Sequence, residues 1–190
     1  MKTKLFALIS LCCTLQSCVF VAGAAAGAAA IAVVYDHRTI KNSVEDTTIA
    51  NKIVDKIRAN PPLRNESHIE ITVFHGIVLI TGQTPNPEWK QRAEDISRSV
   101  PGVARIYNQI TIEGPTSSLT RTSDSWITTK IKGEMLAEEN LKSSSIKVVT
   151  EGGVVYLMGI VTRQQADVAA DIARQVSGVQ KVIKIFQYRN

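Results

Sequence analysis

Isoleucines recur every fourth residue in two separated stretches of the chain. In "DTTIANKIVDKIR" they stand at 49, 53 and 57; in "DSWITTKIKGEML" Ile127 and Ile131 are followed by Met135. Four-residue spacing places side chains on one face of a helix, so each stretch predicts an amphipathic helix with one apolar stripe. Asp46 and Asp124 stand just ahead of the stripes, where an N-capping carboxylate is expected. The period then changes to two. Ile69, Ile71 and Val73 alternate with other residues in one stretch, Ile146 and Val148 in the other, which predicts strands. Gly76, or Gly152 with Gly153, marks a turn into a second strand that ends at Gly82 or Gly159. An Ala-rich helix follows and stops at Val-Pro-Gly or Val-Ser-Gly, with glycine as the terminator. A β-rich segment closes each stretch, and Tyr107 and Tyr156 read as sheet residues.

These are two copies of one unit. "GIVLITG" (76–82) aligns with "GVVYLMG" (153–159), and "AEDISRSVPGVARIYNQITI" (93–112) with "AADIARQVSGVQKVIKIFQY" (169–188). The offset drifts only from 78 at the first helix to 77 and then 76, so each gap is one residue in a loop. The order αββαβ therefore occurs twice, over residues 44–113 and 122–190, each near the lower size limit for an independent core. The expected fold class is α+β: two tandem domains, each a small three-stranded mixed sheet backed by two helices. "EGPTSSLTRTS" reads as a Pro/Ser/Thr linker and puts residues 114–121 between them.

The N-terminus follows other rules. Residues 1–17, "MKTKLFALISLCCTLQS", combine Lys2 and Lys4 with a short apolar run, the pattern of an export signal. Leu15-Gln16-Ser17-Cys18 resembles a bacterial lipobox, in which the cysteine is acylated and becomes the new N-terminus. Cleavage there discards Cys12 and Cys13 and leaves Cys18 as the one cysteine, so no disulfide is expected. Residues 18–43 then form an Ala/Gly-rich tether. Joined to the signal, this run is also long enough to span a bilayer, so an uncleaved anchor is the rival reading.

The strand–Gly turn–strand–Gly core and the helix ending in Val-x-Gly-Val resemble the BON domain (bacterial OsmY and nodulation). With the signal and lipobox, the tandem arrangement is similar to the dual-BON outer-membrane lipoproteins, "WITTKIK" and "EGGVVYLMGIVT" carrying the closer likeness. That resemblance implies attachment to the outer membrane through Cys18, a periplasm-facing position, and anionic phospholipid binding by the second domain with the first supporting the assembly. Val19 after the cysteine, by analogy with lipoprotein sorting in Gram-negative bacteria, favours passage to the outer membrane.

Comparing the two first helices sharpens this without the family. Opposite the stripe, the second copy places Trp126, Thr129, Lys132, Gly133 and Leu136 where the first has Thr48, Asn51, Val54, Asp55 and Arg58. Only the second copy turns apolar there. Aromatic residues are 5% of the chain, so an exposed Trp is informative. Residues 44–113 carry eight Lys or Arg against nine acidic residues, and 122–190 carry nine against seven. The second domain thus leans basic, which suits an anionic lipid surface. The candidate lipid-binding set is Trp126, Thr129, Lys130, Lys132, Gly133 and Leu136. In the competing reading Trp126 packs between the domains.

The net charge of +5 is too mild for a nucleic-acid partner. His37, His68 and His75 lack metal-ligand spacing, and the two later ones fall at or beside strand ends. Asp95 and Asp171 recur at matched helix positions but read as solvated carboxylates. No catalytic residue, metal or cofactor is expected. The function expected is non-enzymatic maintenance of the cell envelope by phospholipid binding. The alternative is an adaptor that docks envelope proteins, such as an outer-membrane assembly or a cell-wall remodelling complex.

Overall fold

The computed structural model describes residues 37–114 and 118–189. The export signal, Cys18 and the tether up to residue 36 lie outside the described residues. Helix α1 (His37–Arg58) and a short α2 (Pro61–Glu66) precede strands β1 (His68–Phe74) and β2 (Ile77–Thr84). Helix α3 (Pro87–Arg98) leads to β3 (Arg105–Asn108) and β4 (Thr111–Ile112). The second half repeats the plan with α4 (Ser118–Ala137), β5 (Ile146–Glu151), β6 (Val154–Val161), α5 (Arg163–Gln175) and β7 (Lys181–Tyr188).

Both sheets are mixed, as the repeat implied. β2 pairs antiparallel with β1 and parallel with β3, and β6 does the same between β5 and β7. The third strand of the first half is split, so that sheet counts four strands, β4 pairing parallel with the end of β2. Asn108 sits at the break: its Nδ2 donates to the Lys90 carbonyl at 3.0 Å, and its Oδ1 accepts from the Ile110 N–H at 3.3 Å. A side chain that bonds its own backbone two residues on diverts the ladder locally.

The two aspartates read as N-caps are not caps. α1 begins at His37 and α4 at Ser118, so Asp46 and Asp124 lie inside their helices. Residues 118–121, assigned to the linker, are likewise helical. Each carboxylate instead grips the hairpin turn of its own domain. Asp46 accepts from the N–H groups of His75 and Gly76 at 2.7 and 2.9 Å, and Asp124 from those of Gly152 and Gly153 at 2.8 and 2.9 Å. All four turn residues have positive φ, between 49° and 74°, the two-residue reversal that matches strand twist. That turn leaves N–H groups without ladder partners, and the helical carboxylate supplies the acceptor. Asp124→Ala should therefore cost about 2 kcal/mol, because it strands two partly buried donors. A denaturant midpoint unchanged from the parent would show the clamp to be idle.

Each half has its own helix–sheet core. In the first, Ile49, Ile53 and Ile57 meet Val73, Val78, Ile80 and Ala93; in the second, Ile127, Ile131 and Met135 meet Val148, Val155, Leu157 and Ala169. The helices stop before the glycines expected to end them: α3 ends at Arg98 and α5 at Gln175, and Gly102 and Gly178 lie in the turns beyond, where they leave room for the first isoleucine of each stripe. A Cβ on them would stand 2.8 Å from Ile49 Cδ1 and 3.1 Å from Ile127 Cδ1.

A third core joins the halves. β2 is buried at all eight positions, and its alternate residues face opposite ways. Val78 and Ile80 point to their own helices, while Ile77 and Leu79 pack with Tyr156, Met158 and Ile185 of the second domain. The sheet faces without helices thus cover each other. Two polar contacts add to the seam: Gln83 Nε2 donates to Glu151 Oε1 at 2.6 Å, and Lys147 Nζ donates to the Val73 carbonyl at 3.3 Å. Burial holds the Glu151 carboxyl above the usual range, and the Gln83 hydrogen bond partly offsets it.

Candidate membrane-docking face

Helix α4 is built with two opposed faces. Ile127, Ile131 and Met135 are buried in the second domain's core. Around the other side Leu119, Trp126 and Leu136 are 81, 54 and 77% exposed. Trp126 lies outside the core shared by the sheets. At 1.5 Å per residue, Leu119 and Leu136 stand about 25 Å apart along the axis, with Trp126 between them. Leu119 was missed in the sequence because "SSLTRTS" reads as linker. Its signal was there: it falls seven residues, two helical turns, before Trp126.

Trp126, Thr129, Lys130, Gly133, Glu134 and Ala137 line one shallow groove on this face. Nothing lies within 4 Å of a Cβ built on Gly133, so no packing demand explains that glycine. In a helix interior it costs roughly 1 kcal/mol relative to Ala, and it leaves the helix backbone uncovered at the floor of the groove. Lys130 pairs with Glu134 at 3.2 Å, an exposed i,i+4 bridge of the kind worth little in water and readily exchanged for another anion. Thr129 Oγ1 donates to the Ser125 carbonyl at 2.9 Å. Its proton is occupied, so its oxygen is left as an acceptor.

Not every expected residue gathers here. Lys132 lies about 120° around the helix from Trp126. It lines a different hollow, between the domains, together with Lys147. The matching face of α1 is mostly polar: Thr48 there donates to the Val44 carbonyl at 2.9 Å, Asn51, Asp55 and Arg58 are exposed, Val54 is half-buried, and Val44 is the exposed apolar residue one turn before Thr48. The remaining candidates fall into ordinary roles. His68 opens β1, and His75 sits in the turn, 3.2 Å from Asn42. Asp95 accepts from Gln91, and Asp171 pairs with Arg174. Among the described residues no three His, Cys, Asp or Glu side chains gather as a metal site, and no helix is long and apolar enough to cross a membrane.

Comparison with known proteins identifies the family. The family model of the BON domain matches twice, over residues 45–114 and 123–190. "Outer membrane lipoprotein DolP" of Haemophilus influenzae is 37% identical over 185 residues, covering 97% of this chain and 95% of that one. The "21 kDa hemolysin" of Actinobacillus pleuropneumoniae is 35% identical over 153 residues, 80% of this chain and 79% of that one. Among solved structures, the C-terminal domain of CdsD, a structural protein of the type III secretion system of Chlamydia trachomatis, aligns at a TM-score of 0.30 and 15% identity, covering 76% of this chain and 67% of that one. With both halves matched and nearly the whole chain aligned to an outer-membrane lipoprotein, the protein belongs to the BON-domain family, as one of its lipid-anchored outer-membrane members.

Proposed function

We propose that this lipoprotein maintains the cell envelope by docking α4 of its second BON domain on anionic phospholipid in the inner leaflet of the outer membrane. The observation that carries this is the line of Leu119, Trp126 and Leu136, exposed along a helix whose other face is core. Trp is the preferred interfacial side chain, since its ring is amphipathic. Partial insertion of the indole is worth roughly 2 kcal/mol at about 25 cal/mol per Å². Lys130, at the edge of the groove, adds about 1 kcal/mol next to an anionic surface. Acyl chains on Cys18 supply residence, because two or more chains anchor a protein stably. The helix contact then sets orientation and lateral position at high effective concentration.

Cys18→Ala separates these terms. The variant should leave the membrane fraction unacylated, yet co-sediment with vesicles containing anionic lipid and less so with neutral ones. Equal recovery on both vesicle types would overturn the headgroup reading. No recovery on either would favour the adaptor, whose α4 face meets an envelope protein instead.

A further inference from the structure

Away from the α4 groove, a hollow of about 460 Å³ opens between the two domains. One wall is first-domain, from α1, β1 and His75 of the turn after it; the other is second-domain, from α4, the 3-10 turn Ser143–Ser145 and β5. Its lining is mixed: Ile71, Val73, Phe74 and Ile146 are apolar, and polar side chains stand beside them. Lys132 and Lys147 enter from the second domain, Asn42 and Ser43 from the first, and Ser144 from the turn. Asp46 and His75 also face the hollow, so its ionisable groups are two ammonium ions, one carboxylate and one imidazole.

The carboxylate is already satisfied. Asp46 takes the N–H groups of His75 and Gly76, one on each oxygen, and the His75 ring is bonded to Asn42. The cations are not. Among the described residues Lys147 hydrogen-bonds the Val73 carbonyl, at a long 3.3 Å, and feels Asp46 without an ion pair, while Lys132, Ser43 and Ser144 make no side-chain hydrogen bond or ion pair. Partial desolvation pushes the Lys147 ammonium below its ordinary pKa, the Asp46 carboxylate opposes this, and the charge of Lys132 adds a smaller downward push. Lys132, Lys147, Ser43 and Ser144 are exposed residues that line this one hollow, and two ammonium groups against one carboxylate give it an excess of positive charge that an anion completes. Ammonium groups act as point charges toward phosphate, and hydroxyls fill the remaining oxygens.

We propose that this hollow is an anion site that takes the phosphate group of a phosphate ester. The group is either part of a lipid headgroup or of a soluble ester. In both cases Lys132 and Lys147 supply the charge, and Ser43 and Ser144 supply hydroxyl donors from opposite walls. Because both domains contribute, the bound anion bridges them, which the α4 groove does not do. The site is independent of the docking face proposed above.

The test is an NMR titration of the full acylated chain in neutral detergent with glycerol 3-phosphate, matched in ionic strength by chloride. Amide signals around Ser43, Ser144 and Lys147 should shift together and saturate, and the apparent melting temperature should rise. In the double variant Lys132→Gln with Lys147→Gln the dissociation constant should weaken at least tenfold, while the rest of the spectrum stays that of a folded protein. Anionic vesicles then identify the source. If the double variant also loses vesicle affinity, the occupant is a headgroup; if vesicle affinity is unchanged while glycerol 3-phosphate binding is lost, it is a soluble ester. Equal titration of parent and double variant, or shifts scattered over surface lysines far from the hollow, would overturn the proposal.

Discussion

Trp126→Glu should lower affinity for anionic vesicles by about a hundredfold or more while leaving the fold intact. The loss has two parts. Removing the indole forfeits roughly 2 kcal/mol of insertion. The introduced carboxylate is repelled by the same surface that attracts lysine, at about 1 kcal/mol per charge. Together these amount to about 3 kcal/mol, or two decades in affinity. The fold should survive because Trp126 is more than half exposed and belongs to none of the three apolar cores. Thr48→Glu makes the internal control. It adds the same charge at the matching position of α1, where the surrounding face is mostly polar and carries no aromatic residue, and should leave binding unchanged. Co-sedimentation with phosphatidylglycerol vesicles, alongside circular dichroism, reads both outcomes. A folded Trp126→Glu protein that binds like the parent would sink the membrane reading; an unfolded one would make Trp126 structural.

Periodicity carried most of the fold. The four-residue stripe identified both first helices, because Ile49 to Ile57 and Ile127 to Met135 each face one sheet. The glycine turns were equally legible, since a two-residue reversal needs φ values that glycine adopts freely. What failed were the helix starts. A carboxylate just ahead of an apolar run resembles a cap, but Asp46 and Asp124 are held inside their helices by turns 29 and 28 residues further on. A long-range bond of that kind leaves no trace in local spacing. The early start of α4 was obscured by Ser and Thr, which favour caps and turns but tolerate a helix. Extending the Trp126 face backward by one heptad would have found Leu119. On the candidate site, wheel arithmetic resolves Trp126, Thr129 and Gly133 as one face, but it sets Lys132 toward the flank. Only the position of the first domain turns that flank into a wall.

The contact between the domains was readable in principle. "IVLITG" and "VVYLMG" are continuous apolar runs rather than alternating ones, the mark of strands covered on both faces. One cover is the domain's own helices, and the other is its sister sheet. This carries a second large effect. Leu79 is fully buried, and it packs against Tyr156, Met158 and Ile185 across the seam. Leu79→Ala should cost about 4 kcal/mol, the upper part of the range for deleting a buried leucine, because a gap between two stiff sheets closes poorly. For a body of this size that corresponds to a fall of roughly 10 °C in melting temperature. The form of the transition is as informative as its midpoint. Two domains that share a core should melt together in the parent, with one calorimetric peak whose van't Hoff and calorimetric enthalpies agree. In Leu79→Ala the seam weakens more than either helix–sheet core, so the peak should broaden toward two as each half loses its partner. The second half alone, residues 122–190, would expose Tyr156, Met158 and Ile185 on one sheet face, and should fold only weakly or pair with itself through that face. A parent showing two separate transitions, with Leu79→Ala moving only the first, would mean that the sheets touch without sharing stability.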